Sequence, residues 1–106
     1  MTRLLVLFNL KPGITPEVYE RWAREVDLPT VRDLESIHEF GVYRITGLLG
    51  SDAPPPYRYA EVIDITDMQR FGSEVATARM REIAARFGEL AETHFLMTEP
   101  LEPGGT

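Results

Sequence analysis

Apolar positions gather in a few stretches separated by turn-forming residues. Arg3 to Lys11 is an apolar run (Leu4, Leu5, Val6, Leu7, Phe8) that stops at Pro12-Gly13. Its length and the Pro-Gly stop favour a strand, covered on both faces, over a buried helix. Thr15-Pro16-Glu17 reads as a helix start, with Thr15 as N-cap and proline at the first helical position. Val18, Trp22 and Val26 then recur every four residues and share a face with Tyr19 and Ala23. Glu17, Glu20, Arg21, Arg24 and Glu25 fill the other side. Pro29 ends or bends this helix, and a short helical turn continues to about Leu34.

Ile37 to Thr46 reads as a strand with His38, Phe40, Val42 and Arg44 on one face. Ile37, Glu39, Gly41, Tyr43 and Ile45 take the other. Gly47 to Pro56 is a loop, because Pro54-Pro55-Pro56 forbids both helix and ladder bonding. Tyr57 to Ile65 is the third strand, aromatic and β-branched. Thr66 or Asp67 can cap a second helical region, where Met80, Ile83, Phe87 and Leu90 form an apolar stripe. Gly72 and Ala76-Thr77-Ala78 divide or bend it. His94 to Thr98 is the last strand. Residues 1–101 form one domain in this reading, and Glu102 to Thr106 a flexible tail.

The order β-α-β-β-α-β predicts the α+β class: a ferredoxin-like, four-stranded antiparallel sheet with two helices on one face. Both strand faces carry apolar side chains, so the bare sheet face is expected to meet a second copy in an isologous homodimer. A length of 106 residues suits one domain that gains from burying surface against a partner. The net charge of −6 lacks the basic footprint of a nucleic-acid binder. No apolar run approaches membrane-spanning length and no signal-peptide pattern opens the chain, which predicts a soluble, cytoplasmic protein without a membrane partner. With no cysteine, thiolate catalysis and zinc-thiolate sites drop out.

Four segments carry a family resemblance: Phe8-Asn9-Leu10-Lys11-Pro12-Gly13, Tyr19-Glu20-Arg21-Trp22-Ala23-Arg24, Asp27-Leu28-Pro29-Thr30-Val31-Arg32 and Val62-Ile63-Asp64-Ile65-Thr66. From Leu5 to Leu101 the chain resembles the dimeric α+β-barrel superfamily. Within it, the chain is most similar to RedY/HapK-like proteins of prodiginine and related pyrrole or indole alkaloid pathways. The resemblance implies a homodimer acting on a small, largely apolar aromatic heterocycle, with no metal and no organic cofactor. It implies chemistry drawn from proton transfer, cyclisation, dehydration, condensation and cofactor-free oxygenation. In EthD-like relatives a histidine commonly stands before the proline that closes the first helix, and Asp27 takes that place here.

Topology puts the end of the first helix and the start of the second strand at one sheet edge. Asp27 and His38 are therefore expected to approach each other, with Glu61 running toward them, as catalytic candidates. A histidine oriented by a carboxylate is a general acid/base suited to neutral pH, and an aspartate in an apolar pocket is raised toward a useful pKa. The structural alternatives are a backbone-capping Asp27, a half-exposed strand His38, and a Glu61 paired with Arg44 or Arg58. A second polar group (Asn9, Arg44, Tyr57, Tyr59, His94) would orient a heterocycle or carbonyl at the opposite edge. Trp22 is either core or one wall of an aromatic pocket. The two histidines lack metal-ligand spacing, and Ser36, Ser51 and Ser73 lack a nucleophile-elbow context. Three functions fit: a cofactor-free tailoring enzyme using acid/base cyclisation, dehydration or condensation; a carrier of an unstable aromatic intermediate; and a cofactor-independent monooxygenase.

Overall fold

The computed structural model describes residues 1–104 of the chain. Gly105 and Thr106, the end of the expected tail, lie outside the described residues. The elements are β1 (Thr2–Leu10), α1 (Pro16–Trp22), a π-helical turn (Ala23–Asp27), α2 (Leu28–Arg32), β2 (Ile37–Arg44), β3 (Tyr59–Ile65), α3 (Met68–Val75), α4 (Ala78–Leu90), β4 (Ala91–Glu92) and β5 (Leu96–Thr98). The sheet is antiparallel in the order β2-β3-β1-β4, with β5 also on β1. This is the expected β-α-β-β-α-β architecture with one correction: the fourth strand is two short pieces, which makes five strands. Asn9 pairs with Glu92 and Leu5 with Leu96 in a common register. Between them His94 and Phe95 leave the ladder, and Phe95 packs edge-on against Phe87 at 6.2 Å.

Local chemistry accounts for the helix starts. The Thr15 hydroxyl accepts from Val18 N, Asp67 from Gln69 N and Arg70 N, and Thr77 from Met80 N. The cap at Thr77 splits the second helical region into α3 and α4. Pro29 does not end the first helix. It has no N–H for the carbonyl of residue 25 and its ring crowds that oxygen, and the preceding turn widens, Leu28 N bonding to Ala23 O.

That widened turn also changes the buried face. Residues four apart drift by roughly 40° around a regular helix, and a wide turn offsets the drift. The buried ridge is thus Tyr19, Ala23 and Asp27, while Val18 is exposed and Trp22 and Val26 are half-buried flanks. Trp22 stacks on Phe87 at 5.9 Å and bridges two apolar clusters. One cluster gathers Val6, Phe8, Tyr19, Tyr59, Phe87 and Leu90; the other gathers Leu4, Val31, Phe40, Ile63 and Ile83.

The opposite sheet face is left bare, with Leu7, Tyr43 and Leu96 exposed. Gly41 has a steric role there: a Cβ at this position would lie 2.6 Å from the Tyr43 hydroxyl, so the ring lies across the glycine. Among the described residues no helix is long and apolar enough to cross a membrane.

Candidate active site

Between the helices and the sheet lies a cavity of about 280 Å³. The sheet supplies Leu4, Phe40 and Ile63, and α2 supplies Val31. Phe71 and Val75 come from α3, and Met80, Ile83 and Phe87 from α4. Half-exposed Phe95 stands at one side. α3 is held in place by its Glu74 carboxylate, which accepts from Glu35 N (3.0 Å), Ser36 N (3.1 Å) and the Ser36 hydroxyl, and by an Arg70–Glu35 ion pair.

Among the described residues, the only ionisable groups lining this cavity are Asp27 and Glu61, 4 % and 2 % exposed. Asp27 enters from the π-helical turn, and π turns recur at functional sites. Glu61 enters from β3 because Tyr59, Glu61 and Ile63 share one strand face, the parity read from the sequence, and the fold turns that face toward the helices. Burial pushes the Asp27 carboxyl up to about 7. Glu61 is raised well above the usual range by burial first and by the Asp27 charge second. At neutral pH the pair therefore retains at least one proton and titrates as a unit. Buried Tyr19 is kept protonated by burial and the nearby carboxylates. Neither Tyr19 Oη nor Glu61 Oε2 makes a close, well-aligned hydrogen bond among the described residues, although the Tyr19 hydroxyl lies near enough to Glu61 to hold its carboxyl down in part. Buried polar atoms are normally well satisfied, so a carboxyl held this loosely at the wall of an apolar cavity leaves room for a ligand to bond it.

A different polar group lies across the tyrosines. Glu20 accepts from Arg44 Nε (2.9 Å) and Nη2, from Arg24 Nη2 (3.3 Å) and from the Tyr59 hydroxyl (2.8 Å). The Arg44 hydrogen bonds hold its carboxyl down at about 2. Tyr59 is pushed up to about 12 by burial and then by Glu20.

The sequence candidates are thus distributed over several places. Asp27 and Glu61 come together, and Asp27 makes no capping hydrogen bond, which removes its helix-capping alternative. Glu61 has no ion pair with Arg44 or Arg58, because Arg44 is engaged by Glu20. The expected approach of Asp27 and His38 does not occur. A β-bulge between Ile37 and Glu39 takes His38 out of the strand alternation and leaves it exposed, its charge acting on Asp64. Asp64 is held below the usual carboxylate range by the Arg3 guanidinium, which donates at 2.7 and 3.0 Å.

The second expected polar group also separates. Arg44 and Tyr59 meet at Glu20, whereas Asn9 is tied to the loop backbone at Pro56 O (3.0 Å) and Arg58 N (3.0 Å). Tyr57 and His94 are exposed, and Trp22 backs Phe87 without lining the cavity. Tyr19 and the phenylalanine walls had not been singled out as site residues. The four-residue spacing Tyr19, Ala23, Asp27 was the available signal, hidden by the more apolar Val18, Trp22, Val26 series.

An antiparallel sheet with helices on one face and an apolar face left bare is the ferredoxin-like class of α+β proteins. Solved structures agree: a dimeric ferredoxin-like protein of unknown function from Thermobifida fusca matches at TM-score 0.70 and 18% identity, covering 92% of this chain and 88% of that one. SnoaB, a cofactor-independent oxygenase from Streptomyces nogalater, matches at TM-score 0.71 and 13% identity, covering 96% and 94%. HapK from Hahella chejuensis is more similar, at TM-score 0.76 and 31% identity over 100% of this chain and 98% of that chain. The family model described as REDY-like protein HapK matches residues 2–101, and the chain belongs to that family. Among curated proteins, none matches.

Proposed function

We propose that this protein is a cofactor-free biosynthetic tailoring enzyme acting on a small pyrrole- or indole-type intermediate. The supporting observation is the Asp27–Glu61 pair, two carboxyls without a hydrogen bond from any capping or cationic group, facing a cavity otherwise lined by apolar side chains. Such a pair holds a donor and an acceptor together near neutral pH. In a cyclisation, dehydration or condensation, one carboxyl donates a proton to the departing oxygen. The other takes the proton lost from carbon or nitrogen, so that water leaves and the pair is restored. Tyr19 adds a neutral hydroxyl donor. The apolar walls hold the ring and keep bulk water from the reacting atoms.

Membership of the HapK family and the likeness to SnoaB support a tailoring role. The exposed sheet face with Leu7, Tyr43 and Leu96 supports a homodimer, as do neighbours described as dimeric. A solution mass of one chain would exclude the homodimer.

The test is product detection by mass spectrometry after aerobic incubation of chelator-treated protein with pyrrole and indole intermediates bearing aldehyde, carboxyl or carbamoyl groups. Loss of water that disappears in Asp27→Asn and Glu61→Gln is the expected result. Gain of oxygen would favour the monooxygenase, and binding without any mass change the carrier.

A further inference from the structure

We infer that the ligand of this cavity is a flat nitrogen compound that places a cationic N–H, such as an iminium, amidinium or protonated heterocycle, between Asp27 and Glu61. The inference rests on the acid/base reading only for the location of the site. It adds the charge and hydrogen-bonding class of the ligand, which neither the family nor the fold specifies.

Three features converge. First, the cavity contains acceptors in want of donors. Asp27 makes no capping hydrogen bond, and Glu61 has only the Tyr19 hydroxyl near it, at no close geometry to Oε2. Second, among the described residues no lysine, arginine or histidine lines the cavity, and Arg44 and Arg24 are drawn to Glu20 outside it. A buried carboxylate is costly without a cation or several hydrogen bonds. Among the described residues nothing supplies these for the carboxyl of the pair that ionises, so a ligand can. Third, Phe40, Phe71, Phe87 and Phe95 present aromatic walls, and ring faces attract cations most when water is excluded. An anionic ligand would meet the charge of the ionised carboxyl, with only the pair's retained proton and Tyr19 to donate to it, and a neutral ligand without N–H would leave that carboxylate unsatisfied.

Three probes of nearly equal shape separate the possibilities: benzamidine as its cation, neutral benzamide, and benzoate. Their dissociation constants are measured at pH 7.5 by titration calorimetry against the wild type, Asp27→Asn, Glu61→Gln and Glu20→Gln. The cation is expected to bind at least about tenfold tighter than benzamide, with benzoate weakest, because charge-assisted hydrogen bonds are roughly twice as strong as neutral ones. The preference should shrink to under about threefold in Asp27→Asn and persist in Glu20→Gln, where the charge removed lies outside the cavity.

Should the cavity variants fail to fold, nuclear Overhauser contacts from the bound cation to Phe87 and Phe95 in the wild type provide the check without substitution. Equal affinity for the three probes, no binding of the cation at millimolar concentration, or a preference surviving in Asp27→Asn would overturn the inference. Turnover lost in Asp27→Asn without any cation preference would leave the acid/base enzyme standing and remove this inference alone. Cation preference in a protein that turns nothing over would do the reverse.

Discussion

Glu20 and Glu61 are the same residue type on opposite sides of a pair of packed tyrosines, and their surroundings drive them in opposite directions. The Tyr19 and Tyr59 rings lie 4.8 Å apart. Tyr59 gives its hydroxyl to Glu20, which two guanidiniums also neutralise. Tyr19 and Glu61 share the other side with Asp27, and there the hydroxyl and a carboxylate oxygen have at most a loose contact with each other and no cation. The polar atoms of the first region are spent on each other, so it contributes structure. Those of the second are unspent, at a cost in stability, and remain available to a ligand. Unsatisfied burial thus separates a site from a scaffold better than the mere presence of ionisable groups.

The largest expected effect of breaking this contrast is on turnover. Asp27→Asn should lower the rate on the responsive intermediate by about 10²–10⁴-fold, whereas Glu20→Gln should change it by only a few-fold, read in the same mass-spectrometric assay. A comparable loss in both would erase the distinction.

Stability should move in opposite senses. The folded Asp27 carboxyl is raised from 3.8 to about 7, so the folded state binds more protons between these values. Its favourable contribution is complete below about pH 4 and is lost as pH rises through about 7. At pH 8, Asp27→Asn should therefore be more stable than the wild type, by up to about 4 kcal/mol, with the gain vanishing near pH 4 in urea titrations. Glu20 is lowered from 4.5 to about 2. Its contribution is present above about pH 4.5 and lost as pH falls toward 2. Glu20→Gln should cost about 1 kcal/mol at pH 7. A wild type whose stability rises between pH 4 and 7 would contradict the assignment of Asp27.

The smallest effect belongs to His38. Exposed at a bulge, it should tolerate His38→Ala within about 0.5 kcal/mol and with turnover unchanged. A large rate loss would return it to the candidate site, for instance through a partner subunit.

What could be read ahead of the structure follows the range of the interactions involved. Thr15-Pro16 declared a helix start and Asp67 stood as one of two named caps, because a cap is made within three residues, whereas Ala76-Thr77-Ala78 showed only a break or bend. The parity of Tyr59, Glu61 and Ile63 was legible because β3 runs without interruption. The same parity failed for His38, where one bulged residue reverses it, and for His94 to Thr98, where Phe95 leaves the ladder to meet Phe87. The site was half legible. Asp27 and Glu61 were identifiable as carboxyls in apolar settings, but pairing Asp27 with His38 required knowing which way a bulge turns a side chain. Glu20 looked like one more solvated helix residue until Arg44, 24 positions away, closed on it.

The sequence by itself determined the element order, most of the caps, the shared parity of Tyr59, Glu61 and Ile63 and the family, because these depend on neighbours along the chain or on matching segments. Only the tertiary structure decided that Pro29 is absorbed by a π turn and that Tyr19, Ala23 and Asp27 form the buried ridge. It alone decided which of several carboxyls stays without a cation. A side chain's charge state depends on what packs around it from distant elements, and desolvation, unlike periodicity, is not a property of any single segment.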